Sequence, residues 1–258
     1  MTISVLGKRG ADPVGIAAAV QLTDVTKVFG EGDSATVALA GVDLTVDPGE
    51  FVTVVGTSGC GKSTVLSLVA GLEQPTSGTV ATSGPVAFMF QDATLLPWLT
   101  AQQNVELALR VRGVPRAGRR ERAAQLLDVV RLTAWGDKRP HELSGGMRQR
   151  VALARCLAQD TSIVLMDEPL GALDAMTRDH LHDEIERVAV EQVLTVLFVT
   201  HNMREAIRLG DRVVLMGQGG VLHEEVVDLP RPRHIDSPEV ATRAAAMTQR
   251  LRGARDGR

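Results

Sequence analysis

Apolar residues fall along this chain in runs of two kinds, and the change from one to the other marks out its parts. Through the first hundred residues they alternate or cluster in "VQLTDVTKVF", "TVALAGVDLTV", "FVTVV" and "GPVAFMF", punctuated by Gly, Asp and Pro, which predicts strands joined by turns. From Thr100 to Pro140 the period lengthens to that of a helix. "AQQNVELALRVR" and "RAGRRERAAQLLDVVRL" are rich in Ala, Leu, Glu and Arg, and Gly113 and Pro115 separate them. Beyond, the helix-like "GGMRQRVALARCLA", "ALDAMTRDHLHDEIERVAV" and "NMREAIRLG" alternate with the apolar "TSIVLMD", "VLTVLFVT" and "DRVVLM". Strands apolar on both faces, alternating with helices, predict a parallel sheet covered on both sides. After Leu229 the chain is Pro- and Arg-rich. It then offers one amphipathic helix, with Ser237 as N-cap, Pro238 at the first position, and Val240, Ala244, Met247 and Leu251 on one face.

Composition narrows the class. With 258 residues, 44% hydrophobic and 23% charged, the chain can bury the core of one large domain or two small ones. Its strongly apolar stretches, "VLTVLFVT" among them, fall far short of the ~18–20 residues of a membrane span. Lys8 and Arg9 before "IAAAV" resemble the start of a signal peptide, but that run is short and leads straight into a strand, so we expect a cytosolic chain with a flexible leader over residues 1–19. Cys60 and Cys156 lie far apart with no CxxC or His pairing, which points to neither a disulfide framework nor a zinc site. A net charge of −3 argues against non-specific nucleic-acid binding as the main task.

The chemistry concentrates in three stretches. "GTSGCGKST", comprising Gly56, Thr57, Ser58, Gly59, Cys60, Gly61, Lys62, Ser63 and Thr64, fits G-x-x-x-x-G-K-[ST] between an apolar strand and a helix. Its glycines let backbone N–H groups turn inward around an anion, and the helix adds the positive end of its dipole. Lys62 is then placed for β- and γ-phosphates, and Ser63 for Mg²⁺. "SIVLMDE" ends an apolar strand in Asp167 and Glu168, at the sheet edge where ligands bind in open α/β folds. Asp167 suits Mg²⁺, directly or through water, and Glu168 suits a general base for the water attacking the γ-phosphate. In "LSGGM", Ser144, Gly145 and Gly146 open another helix with a hydroxyl and free N–H groups, either a plain N-cap or a second phosphate grip.

Together these stretches resemble the nucleotide-binding subunits of ATP-binding cassette (ABC) transporters, over about Val20 to Leu229. "GTSGCGKST" matches the Walker A loop, "LSGGM" the family signature, "IVLMDE" the Walker B strand and "LGALD" the D-loop. Gln91 follows "VAFMF" as the Q-loop glutamine does, and His201 in "LFVTH" stands where the switch histidine stands. The resemblance implies an α/β P-loop NTPase core with an N-terminal antiparallel β subdomain and an inserted α-helical subdomain. The cassette would span 20–230, the helical insertion about 92–158, and a C-terminal tail 231–258. By the same resemblance Gln91 would contact Mg²⁺ and the attacking water, His201 the γ-phosphate, and Asp174 the paired subunit.

The chain has no Tyr, which the family usually stacks on adenine, so Phe29 becomes the candidate for that role. Met147 stands in the signature where Gln is commoner, without removing Ser144 or the glycines. The implied activity is ATP hydrolysis with Mg²⁺ as the energy-coupling subunit of an importer. The implied partners are a second copy of the chain, a separate membrane permease and, indirectly, an extracytoplasmic solute-binding protein. Nucleic acid is not among them, and the implied location is the cytoplasmic face of the membrane. The alternative is a soluble ABC ATPase outside transport, but chromosome-type proteins interrupt the cassette with long coiled coils, and ribosome-binding types carry two cassettes. An unrelated GTPase would need N-K-x-D, which is missing. "LLPWLTAQQNV" and "ELSGGMRQRVALARCLA" look most like importers of nitrate, taurine and alkanesulfonates. Leu95, Leu96, Pro97, Trp98 and Leu99 form a candidate docking patch for the permease. The arginines from Arg110 to Arg122 meet lipid, the permease or simply solvent.

Overall fold

The computed structural model describes residues 18–171 and 173–256. All but the end of the expected leader lies outside these residues. That end, Ala18 and Ala19, is buried, and the Ala19 N–H donates to the Val46 carbonyl at 2.8 Å, so here the leader has already joined the fold.

The first elements are β1 (Val20–Phe29), β2 (Thr36–Val46), β3 (Phe51–Gly56), α1 (Lys62–Val69) and β4 (Ser77–Thr82). The strands β2, β1 and β4 make a three-stranded antiparallel sheet in that order. Next come β5 (Val86–Met89), α2 (Ala101–Val111), α3 (Arg116–Val129), α4 (Gly145–Leu157), β6 (Ile163–Asp167), α5 (Ala175–Glu191), β7 (Thr195–Thr200) and α6 (Met203–Leu209). The chain ends with β8 (Arg212–Gly217), β9 (Gly220–Val226) and α7 (Pro238–Asp256). The main sheet is six-stranded in the order β5-β6-β7-β3-β8-β9, parallel except that β9 runs antiparallel to β8.

The apolar runs are buried on both faces because successive side chains point to opposite sides. Val164, Met166, Val196 and Phe198 enter one core, shared with α2–α5, whereas Leu165, Leu197, Val199 and Val54 enter another, shared with α1 and the antiparallel sheet. A third cluster joins Ala206 and Ile207 of α6 to Val240, Ala244 and Met247 of α7, so the terminal helix packs onto the core through its expected face.

The strands β4, "SGTVAT", and β9, "GVLHEEV", carry polar or glycine-rich sequences with little signal of their own and form by pairing with β1 and β8. Helix α5 starts at Ala175 because the Asp174 carboxylate accepts the Thr177 N–H at 3.0 Å and caps it there. Register sets the functional edge. Asp167 pairs with Val199 and Val55 with Thr200, which brings the ends of β6, β7 and β3 into one row.

Candidate functional site

Strand β3 delivers its last residue, Gly56, so close to a neighbouring strand that a Cβ would stand 2.3 Å from the Met216 carbonyl oxygen. The chain then turns to α1 through Gly61, whose φ of +99° suits glycine and whose Cβ would lie 2.5 Å from the Ala38 carbonyl oxygen. Lys62 opens the helix at 6% exposure and folds back, donating from Nζ to the carbonyls of Gly56 and Thr57, each at 3.0 Å. Beside the loop lies a cavity of about 370 Å³. Its walls include Ala38, Ser58, Gly59, Lys62, Glu168 and His201, with Gly61, Ser63 and Thr64 completing the loop's side. Cys60 departs from expectation as a site residue. Its thiol is buried in the core against Gly56, because the loop's curvature turns that side chain away from the cavity.

The carboxylates stand opposite. Burial pushes the Asp167 carboxyl up, and the neighbouring Glu168 charge adds to that, while a hydrogen bond with the Ser63 hydroxyl and the Lys62 charge hold it down. A hydroxyl and a half-buried carboxylate in contact form a hard-oxygen donor set that fits Mg²⁺, and a cation there would offset the cost of ionising Asp167. Glu168 sits at φ +42°, a strained backbone for a side chain of its size. Its N–H donates to the Val199 carbonyl at 2.9 Å, and Oε2 lies 2.9 Å from Nδ1 of His201. Gln91 approaches from the other side. Its side-chain nitrogen and Glu168 Oε2 fall 3.6 and 3.8 Å from where a Cβ on Gly171 would stand. Gln149 holds Gln91 in place by donating to its carbonyl at 2.7 Å.

Other candidates are not gathered there. The Ser144 hydroxyl accepts the Met147 N–H at 3.2 Å as an N-cap, and Gly145 and Gly146 pack against Leu173 and Thr177, not against the phosphate loop of the same chain. Asp174 is held by the backbone of α5, which lowers its carboxyl from the ordinary value. Phe29 is 40% exposed at the end of β1, where Lys27 Nζ lies 4.8 Å from its ring centroid, so a cation already takes one face. In the suggested docking loop Trp98 is 66% exposed, and buried Asn104 braces the loop by accepting the Leu96 N–H and donating to the carbonyls of Leu96, Leu99 and Thr100.

Sequence reading overlooked Ala38 and the group Gly171, Arg178, Thr200 and Glu205 beneath His201. Ala38 carries no chemical signal, since its carbonyl and position matter while its side chain does not. "THNMRE" could have suggested Glu205 only through its place in the first turn after His201.

Comparison with known proteins adds an independent line. A family model described as ABC transporter matches residues 39–171. The chain is 49% identical over 221 residues to an aliphatic sulfonates import ATP-binding protein of Burkholderia cenocepacia, a match covering 83% of this chain and 66% of the relative. A protein of the same description from Rhodopseudomonas palustris is 43% identical over 242 residues, covering 91% and 84%. The chain thus spans just under two thirds of the length of the first of these relatives. Among solved structures, a dimeric ATP-binding cassette in a post-hydrolysis state, bound to ADP and Pi, is 35% identical, with a TM-score of 0.72 over 82% of this chain and 100% of that one. A dimeric bacterial ABC transporter cassette gives 35% and 0.74. The match of the family model and the relatives' identity over most of the chain agree with the phosphate loop and the carboxylate-bearing strand end: this chain belongs to the ABC transporter family.

Proposed function

We propose that this chain hydrolyses ATP as the energy-coupling subunit of an importer. It would pair with a second copy on ATP and drive a separate membrane permease whose cargo is an alkanesulfonate. The observation that carries the reading is the meeting of the Lys62 loop, Glu168 and His201 around one cavity, with Glu168 and His201 2.9 Å apart. Lys62 would exchange the two loop carbonyls it now binds for β- and γ-phosphate oxygens, an exchange favoured by charge. Glu168 would take the proton of the attacking water, with His201 keeping that carboxylate aimed while it faces the γ-phosphate. Mg²⁺, held by Ser63 and Asp167 with Gln91 near it, would supply charge neutralisation on the phosphates.

The signature residues Ser144, Gly145 and Gly146 would serve the nucleotide of the partner copy, with Asp174 at the same contact. Phe29 would offer its free face to adenine, and the loop with Trp98 would meet the permease. Among the described residues no helix is long and apolar enough to cross a membrane. An extracytoplasmic binding protein would deliver the cargo. The sulfonate assignment draws on the relatives' descriptions, and nitrate and taurine are the competing cargoes.

Glu168→Gln tests the chemistry. ATP binding should survive while turnover falls about 10²- to 10⁴-fold, and near-normal steady-state hydrolysis would remove Glu168 from the role. Deleting the gene should abolish growth on an alkanesulfonate as sole sulfur source. A growth defect confined to nitrate or taurine would reassign the cargo.

A further inference from the structure

Behind Glu168 and His201 the protein buries another carboxylate, Glu205, at 4% exposure, which the proposed reaction leaves unused. It stands in the first turn of α6, where Asn202 already caps the N–H groups of Arg204 and Glu205. The Glu205 carboxylate turns back instead, and its Oε2 accepts from the Thr200 hydroxyl at 2.6 Å. That hydroxyl also accepts the Asn202 N–H at 3.0 Å, so the turn carrying His201 is closed on itself. The His201 side chain is 65% exposed, and its aim therefore depends on this turn and on its bond to Glu168.

The other oxygen of Glu205, Oε1, faces Arg178 Nε at 3.7 Å and Nε2 of the fully buried His182 at 3.6 Å. Neither is a hydrogen bond. The Arg178 Nε and both His182 ring nitrogens have no hydrogen-bond partner among the described residues. Arg178 continues outward, with Nη2 donating to the Leu173 carbonyl at 2.8 Å, immediately before Asp174. Between Glu205 and the Glu168–His201 pair lies a cavity of about 20 Å³, lined by Glu168, Gly171, Arg178, Thr200, His201 and Glu205. A water needs a cavity of roughly 10–15 Å³ and two to four polar partners, and this one offers the room and the polar side chains of Glu168, Arg178, Thr200, His201 and Glu205.

We propose that Glu205 is a positioning residue for His201, acting through its hydrogen bond with Thr200 and through one water in this cavity, with the Arg178 charge facing its other oxygen. The inference rests on the hydrolytic reading for its kinetic consequence but not for its geometry.

Steady-state ATP kinetics of the full chain test the proposal. Glu205→Gln, which preserves shape, should lower kcat about 10- to 100-fold at unchanged KM, the scale of a misplaced catalytic group. Thr200→Val should act in the same direction, and it substitutes should Glu205→Gln fail to fold. Because Glu205 works through His201, the double variant Glu205→Gln with His201→Ala should be no slower than His201→Ala alone. An unchanged kcat in Glu205→Gln, or a fully additive double variant, overturns the proposal. The ¹H–¹³C imidazole resonances of His201, assigned by their loss in His201→Ala, give a readout independent of turnover. They should shift and broaden in Glu205→Gln, and unmoved resonances overturn the positioning role. Moved resonances in a wild-type protein without ATPase activity would instead uphold the positioning role and overturn the hydrolytic reading.

Discussion

Two helices of this protein open on glycine-bearing turns, and their surroundings could hardly differ more. Helix α1 starts inside its own chain's site: Gly61 lies against Ala38, Lys62 is buried, and Glu168 and His201 face it across the cavity. Helix α4 starts away from that cavity, against Leu173 and Thr177. The Ser144 hydroxyl is spent on capping, and the glycines pack on the start of α5. Both ends carry N–H groups without a partner inside the helix and a favourable dipole, so neither feature by itself makes a site. A helix end becomes one where strand ends bring charge to meet it. On the proposed function, the α4 end would meet the phosphate of a second copy.

The comparison breaks most sharply on mixed dimers. Chains carrying Lys62→Ala and chains carrying Ser144→Arg should each be inactive alone, whereas mixing them leaves one intact composite site. Mixing should restore ATP-dependent pairing and at least single-turnover hydrolysis. Purified mixed dimers without either would mean that the α4 end serves its own chain or nothing.

Stability separates the two ends next. Gly61→Ala forces a side chain to φ +99° and into the Ala38 carbonyl, and should cost about 1–3 kcal/mol in chemical denaturation. Gly145→Ala meets only the ends of side chains, a Leu173 methyl at 3.3 Å and Arg148 Nη2 at 3.9 Å, and should shift the midpoint far less. Equal losses would show that the two turns are constrained alike. A smaller effect is expected from Ser144→Ala, about 1 kcal/mol for a lost N-cap, measured by the same titration.

The mildest contrast is between the cysteines. Cys60 is buried beneath the loop, and burial pushes the Cys156 thiol up to about 12. Native protein at pH 8 should therefore react slowly with maleimide at both positions, and Cys156 should react only on unfolding. Rapid labelling of Cys60 would show that the loop opens to expose its underside.

Most of the fold was legible because the apolar runs are long and their period is unambiguous. The strands β1 and β2 follow the bounds that alternation gives, and α2, α3 and α4 follow the helical period to within a few residues. The strands β4 and β9 were not legible, since what stabilises them lies in β1 and β8 and not in their own residues. Within the site, Lys62, Ser63, Asp167 and Glu168 announce themselves by residue type and spacing. The direction of each side chain does not: the cysteine in the middle of the glycine-lysine loop turns its thiol into the core.

The sequence by itself determined the kinds of element and the local chemistry, because period, capping residues and the glycine-lysine loop act over a few neighbouring positions. Tertiary structure alone decided which distant residues share a site. Glu168 and His201 are 33 positions apart and meet at 2.9 Å because parallel register aligns the ends of β6 and β7. Glu205, Arg178 and His182 come together where α5 meets α6, which places guanidinium and imidazole nitrogens around one buried carboxylate. No local pattern encodes such a meeting, since its energy belongs to groups that are neighbours only after the sheet has formed.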